Sequence, residues 1–163
     1  MMADALLVID LQNGVVAGGD ARYLISMVAK INNQINLYSK NGKPVIMIQH
    51  NDDQLVQGKQ AWKVIDELQV PANAYFIQKT HANSFYKTNL QELLNDLNIQ
   101  TIQICGAQVE YCVDTTIKMA HGIGYSLEMQ RDTTFTLDND YMDGTETRHF
   151  YEDIWNDRFL TFI

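Results

Sequence analysis

The chain has 163 residues, 46% of them hydrophobic and 20% charged, with a formal net charge of −8. That length suits one domain over residues 1–163, and the apolar share is that of a globular rather than a disordered chain. The acidic balance opposes a phosphate backbone, and no apolar run reaches the roughly 18–20 residues of a membrane span, so neither nucleic acid nor a membrane is an expected partner.

Ala5-Leu6-Leu7-Val8-Ile9-Asp10 is a short, continuously apolar run ending in a carboxylate, the pattern of a strand buried on both faces in a parallel sheet. Leu24, Val28, Ile31, Ile35 and Tyr38 then recur at spacings of three and four, which predicts a helix from about Ala21 to Lys40. Val45–His50 repeats the strand pattern after the turn signal Asn41-Gly42-Lys43-Pro44. Trp62, Ile65 and Leu68 suggest a short helix, and Tyr75–Lys79 a further strand. Leu90, Leu93, Leu94 and Leu97 mark another helix, and Thr101–Gly106 another strand. A helix from about Cys112 to His121 stops at Gly122 and Gly124. Ser126–Gln130 as a strand, Thr145–Asn156 as a helix and Arg158–Ile163 as a last strand complete the chain. Alternation of this kind implies crossover units, hence an α/β, three-layer, Rossmann-like fold with a parallel sheet of about six strands flanked by helices.

Ligands of open parallel sheets bind beyond the carboxyl ends of the strands. Four such ends deliver chemistry: Asp10, His50, Lys79 and the segment Gly106-Ala107-Gln108-Val109-Glu110-Tyr111-Cys112. Cys112 falls where a helix begins, and unpaired N–H groups there favour a thiolate and can hold an oxyanion. Position alone leaves open a small buried packing residue, the reading that also suits Cys105 inside its strand. Asp10 alone is equally a cap on the turn at Gln12-Asn13-Gly14, and Lys79 alone a solvated strand end. Together, a lysine beside a carboxylate and a thiol stabilises both anions, while the carboxylate takes the thiol proton. His81, His121 and His149 read as surface or packing residues, and Asp138–Gly144 as an acidic surface turn rather than a calcium loop. No Gly-x-Gly-x-x-Gly turn or phosphate-binding Gly-x-x-x-x-Gly-Lys-[Ser/Thr] loop is present, so no nucleotide cofactor is expected.

Three blocks together resemble the isochorismatase-like cysteine hydrolases, the superfamily of nicotinamidases and related amidases. They are Leu6-Leu7-Val8-Ile9-Asp10-Leu11-Gln12, the Lys79–Leu90 stretch with Ser84-Phe85-x-x-Thr88-x-Leu90, and Gly106–Thr116 around Cys112. Gly124-Tyr125 and Arg131-Asp132 follow at matching places, so the resemblance spans almost the whole chain. It implies a catalytic triad of Asp10, Lys79 and Cys112, a non-proline cis peptide at Ala107–Gln108, and an oxyanion hole from the backbone N–H groups of Gln108 and Cys112. It also implies a homo-oligomer, a dimer or larger. Many relatives carry Thr where this chain has Val109. Nicotinamidases of the metal-dependent kind carry an Asp-x-His pair and a further His, whereas this chain reads Gln49-His50-Asn51-Asp52-Asp53 with no second histidine before His81. The resemblance is therefore closer to the metal-free members, and no metal or other cofactor is expected.

The implied activity is hydrolysis of a small-molecule amide or related C–N bond through a Cys112 thioester. Gln12, His50, Trp62, Phe85 and Tyr111 are candidate pocket-lining residues by their positions after strands or near the blocks. Two alternatives stand beside it: a vinyl ether hydrolase of the isochorismatase type, and a non-catalytic binding protein on the same fold. The start Met1-Met2-Ala3-Asp4 lacks the features of a signal peptide, and two cysteines cannot form a disulfide framework, so a reducing cytoplasm is the expected compartment.

Overall fold

The computed structural model describes residues 2–163. Strands β1 (Ala5–Ile9), β2 (Val45–His50), β3 (Tyr75–Lys79), β4 (Thr101–Ala107), β5 (Ser126–Met129), β6 (Thr134–Phe135) and β7 (Thr161–Phe162) form one sheet. The order is β3-β2-β1-β4-β5-β7, with β6 beside β4, and every pairing is parallel. β5 pairs along Thr101–Gln103, and β6 takes over at Gly106 and Ala107. The sheet thus has seven strands where the sequence indicated about six. The extra one, at two residues, is too short to leave a hydrophobic period.

Helices α2 (Ala21–Lys40), α3 (Leu90–Asp96), α4 (Asp114–Gly122) and α5 (Gly144–Trp155) cover the sheet, and α1 (Asn13–Val16) is a single turn after β1. Because successive strand side chains face opposite ways, β1 divides its residues between two cores. Leu7 and Ile9 join Ile46, Ile48, Ile104 and Ile117 on one side, while Leu6 and Val8 join Met47, Cys105, Ile31 and Ile35 on the other. α2 is started by Asp20, which accepts the Arg22 and Tyr23 N–H groups, and α5 by a capping box of Asp143 and Glu146. The Asp138–Gly144 segment is the expected surface turn: Asp138 accepts the Gly144 N–H, and Asn139 those of Tyr141 and Met142. Among the described residues, no helix is long and apolar enough to cross a membrane.

Two expected elements differ. The helix expected at Trp62, Ile65 and Leu68 is a 3-10 turn, Gln60–Trp62, followed by irregular chain. Ile65 and Leu68 are buried there against the α2 side of the core, so their spacing reflects burial from a loop. The last strand keeps only Thr161 and Phe162, because the chain turns at Asn156–Leu160, where the Trp155 carbonyl accepts the Arg158 and Phe159 N–H groups.

β1 and β4 meet most tightly at Ile9 and Gly106. Gly106 has φ of +124°, and a Cβ there would stand 2.1 Å from the Ile9 carbonyl oxygen. Neither atom belongs to a movable side chain, so only glycine fits. Gly106→Ala is expected to lower unfolding stability by about 3 kcal/mol or to prevent folding. A urea unfolding curve against the parent chain checks it, and an unchanged midpoint would refute the packing argument.

Candidate active site

Asp10, one residue past β1, has φ of +48°. A left-handed backbone is unusual for a residue with a Cβ, although Asp tolerates it better than most, and it turns this carboxylate off the strand direction. Lys79, the last residue of β3, is buried with its side chain at 0% exposure, as is Asp10 at 1%. Their ends meet at 2.6 Å between Nζ and Oδ2. Neither carboxylate oxygen completes a well-directed hydrogen bond, so the contact is an ion pair and lone pairs of Asp10 remain free. Lys79 Nζ also donates to Cys112 Sγ at 3.2 Å and lies 3.1 Å from His50 Nδ1.

Cys112 reaches this point from β4. The Ala107–Gln108 peptide is cis, and Val109–Val113 then form one π-helical turn leading into α4. The Gln108 carbonyl accepts the Tyr111 and Val113 N–H groups at 3.3 and 3.1 Å. Asp114, at the start of α4, receives the Trp155 Nε1–H at 2.8 Å, which ties α5 to the turn bearing Cys112. The Lys79 loop is pinned to α4 as well: Thr116 Oγ1 accepts the Ser84 N–H and donates to Ser84 Oγ, while Thr88 donates to the Ser84 carbonyl. The Ser84-x-x-x-Thr88 spacing is thus a turn clamp holding the Lys79 segment beside Cys112.

Charge and burial set the protonation of this trio. Desolvation raises the Asp10 pKa above the usual carboxylate value, opposed by Lys79. The Cys112 thiol is pushed up to about 12, first by burial and next by the Asp10 charge, with Lys79 opposing. The helix start was expected to favour a thiolate; burial and an adjacent carboxylate outweigh it. The resting sulfur is therefore a neutral thiol beside the Asp10–Lys79 pair.

A cavity of about 470 Å³ opens over these groups, lined by Asp10, His50, Gln108, Tyr111 and Cys112 with walls from Gly14, Val15, Asp52, Gln54, Leu55, Ala61 and Ala82. His50 and Tyr111 line it as expected, the latter on the exposed rim. Gln12, Trp62 and Phe85 do not. Phe85 is buried in the core, its ring stacked 6.2 Å from that of Tyr125. Gln12 is fully buried: its Nε2 donates to the His50 and Trp62 carbonyls at 3.0 and 2.8 Å, and its Oε1 accepts the His50 N–H at 2.7 Å. Trp62 contributes that carbonyl and is not among the residues lining the cavity. The 52–55 wall was missed in the sequence because it is irregular chain without period, although two acids directly after a strand end were a visible signal.

With this geometry in view, an isochorismatase domain model matches residues 4–150. The chain belongs to the isochorismatase family. A crystal structure of an isochorismatase family protein superposes with a TM-score of 0.94 at 42% identity, covering 98% of this chain and 96% of that one. The uncharacterized isochorismatase family protein YrdC of Bacillus subtilis is 30% identical over 138 residues, 80% of this chain and 72% of its own. Nicotinamidase 3 of Arabidopsis thaliana is 25% identical over 162 residues, 86% of this chain and 77% of its own.

A pyrazinamidase of Pyrococcus horikoshii that shares this fold, with a TM-score of 0.83 at 19% identity, was solved in complex with zinc, so the fit of these residues to a metal matters. Among the described residues, the group able to share an ion is Asp10, His50 and Cys112, with ligand atoms within 4.8 Å of one another. All three face Lys79 Nζ, whose ammonium fills the place of a cation. Asp52 stands 3.4 Å from His50 Nε2 but uses Oδ1 on the Gln54 and Leu55 N–H groups, and no third ligand joins the two. The residues do not fit a metal.

Opposite substitutions around the sulfur have opposite expected effects. Asp10→Asn removes the charge that raises the thiol pKa, so alkylation of Cys112 by iodoacetamide at pH 9 is expected to quicken by roughly tenfold; Lys79→Met is expected to slow it similarly. Adduct mapping by mass spectrometry over a pH series checks both. Equal rates in all three proteins would show that the sulfur does not sense the pair.

Proposed function

We propose that this family member hydrolyses a small amide or a related C–N bond through a thioester on Cys112. The observation that carries the reading is that the Asp10 carboxylate and the Cys112 thiol, both lining one cavity and within 4.8 Å of each other, converge on Lys79 Nζ at 2.6 and 3.2 Å. A thiol alone in such a cavity would be a packing residue; a thiol beside a free carboxylate lone pair has a base. The similarity to nicotinamidase 3 supports the amide class.

The raised thiol pKa directs the order of events. Sulfur does not wait as thiolate, so its proton passes to Asp10 as the C–S bond forms, a transfer that the raised Asp10 pKa favours. Lys79 neutralises whichever partner carries the negative charge. The carbonyl oxygen becomes an oxyanion, for which the backbone N–H groups of Gln108 and Cys112 at the start of the π turn are the proposed donors. Collapse breaks the C–N bond, and the Asp10 proton leaves with the amine or ammonia. Water then adds to the thioester, giving its proton to Asp10. Breakdown of that adduct releases the carboxylic acid and returns the proton from Asp10 to Cys112.

Two experiments test this. In a panel of small amides, Cys112→Ala is expected to cut turnover of any accepted substrate by at least about 10³-fold. Acid quench of the parent chain during turnover is expected to leave an acyl adduct on Cys112 that hydroxylamine removes. Undiminished turnover by Cys112→Ala would overturn the nucleophile assignment.

A further inference from the structure

The cavity walls carry an imbalance of charge that the chemistry at its floor does not need. The lining contains two carboxylates, Asp10 and Asp52, and neither lysine nor arginine. Lys79 is buried behind the floor and engaged by Asp10, Cys112 and His50, so its charge is matched by Asp10. Lys59 and Lys63 flank Ala61 in sequence, yet neither lines the cavity. His50 adds no compensating charge: burial first, and Lys79 next, lower its pKa.

Asp52 is therefore unbalanced, and it is also fixed. Its Oδ1 accepts the Gln54 and Leu55 N–H groups at 2.8 and 2.7 Å, and Oδ2 faces His50 Nε2 at 3.4 Å. The Leu55 N–H above all holds its carboxyl below the usual range, so it is ionised at neutral pH. Leu55 is buried beneath this turn and itself lines the cavity. The Asp52 side chain is half-exposed, yet these bonds fix its carboxylate as part of the cavity wall. An acid-bearing substrate entering here would face Asp52 with no cation to receive it.

We propose that Asp52 is a specificity-determining residue that makes the pocket select amides lacking a carboxylate, and prefer those whose far end is a cation or a hydrogen-bond donor. This rests on the amidase reading for its substrate class, whereas the charge preference belongs to the cavity itself. Because Asp52 is half-exposed and screened by water, an effective dielectric near that of water applies, and one extra like charge a few ångströms away then opposes binding by roughly tenfold. The same imbalance disfavours a dicarboxylate vinyl ether such as isochorismate.

The test has two arms, so that the inference and the amidase reading can fail separately. In the first, kcat/KM is measured for butanamide, succinamate and 4-aminobutanamide. Succinamate is expected to fall below butanamide by roughly tenfold and 4-aminobutanamide to exceed it. Asp52→Asn is expected to compress the series by at least about threefold, and Asp52→Glu to retain it.

The second arm needs no turnover. Alkylation of Cys112 by iodoacetamide, iodoacetate and (2-bromoethyl)trimethylammonium is measured at one pH and divided by the rates for a free neutral thiol. The normalised order is expected to be cation, then neutral, then anion, flattened in Asp52→Asn. Charge-blind labelling in the parent chain, or an order unchanged by Asp52→Asn, overturns the inference even if amides are hydrolysed. Charge-ordered labelling that depends on Asp52, with every amide refused, sustains the inference and removes the amidase reading.

Discussion

An aspartate and a lysine held side by side out of water set the terms for this molecule. Desolvating two opposite charges costs several kcal/mol, and their attraction in the interior only roughly offsets it. A pair of apolar residues would pack in the same volume at least as well, so stability does not account for Asp10 and Lys79. What they provide is a fixed field at the sulfur of Cys112, with the lysine nitrogen buried 2.6 Å from Asp10 and 3.2 Å from the sulfur. Removing either partner alone would strand the other charge, a loss of about 3–5 kcal/mol.

Much of the scaffold can be understood as the means of bringing that pair together. Asp10 follows β1 at the centre of the sheet, and Lys79 ends β3, two strands away at its edge. The parallel register aligns the carboxyl ends of β2 and β3, pairing His50 with Lys79 directly. A long lysine side chain then spans from the edge strand to the central one, passing His50 on the way. Gly106 permits β4 to press against β1, so that the turn bearing Cys112 starts close to Asp10. The free Asp10 lone pairs, which would be a defect in a core, become the base of the proposed reaction.

Periodicity revealed those parts that periodicity governs. α2 with its five inward positions, the apolar runs of β1 and β2, and the strand ends at Asp10, His50 and Lys79 all follow from spacing and from the rule that parallel sheets bind ligands at their carboxyl ends. The resemblance to cysteine hydrolases added which of those ends to group. Spacing failed where a loop buries residues without repeating: Trp62, Ile65 and Leu68 mimic a helical stripe, yet Trp62 ends a 3-10 turn and only Ile65 and Leu68 are buried on the α2 side of the core. It failed again at Phe85 and Gln12, which sit beside functional residues in sequence but hold the core and a backbone junction. Proximity in sequence to a catalytic block is a poor guide to facing the pocket, because the residues that aim a side chain must point elsewhere. The thiol pKa was misjudged for a related reason. A helix start is visible in the sequence, whereas the depth at which it is buried is not.

Chemistry and selectivity come from different kinds of chain here, and one residue joins them. Asp10 and Lys79 stand at or just beyond strands, where register holds them to a fixed geometry, and Cys112 stands on the π turn that follows β4. Asp52, Gln54, Leu55 and Ala61 belong to the irregular segment between β2 and β3, where substitutions can reshape a wall without disturbing the sheet. Such a segment would drift unless anchored. Gln12 supplies the anchor: one side-chain amide bonds both backbone groups of His50 at the end of β2 and the Trp62 carbonyl in the far arm of the loop. Being fully buried, it exchanges none of these bonds with water, so the wall keeps its distance from the floor. Under the proposed reading, the Gln two residues after the aspartate serves selectivity by holding the wall in place rather than by lining the cavity.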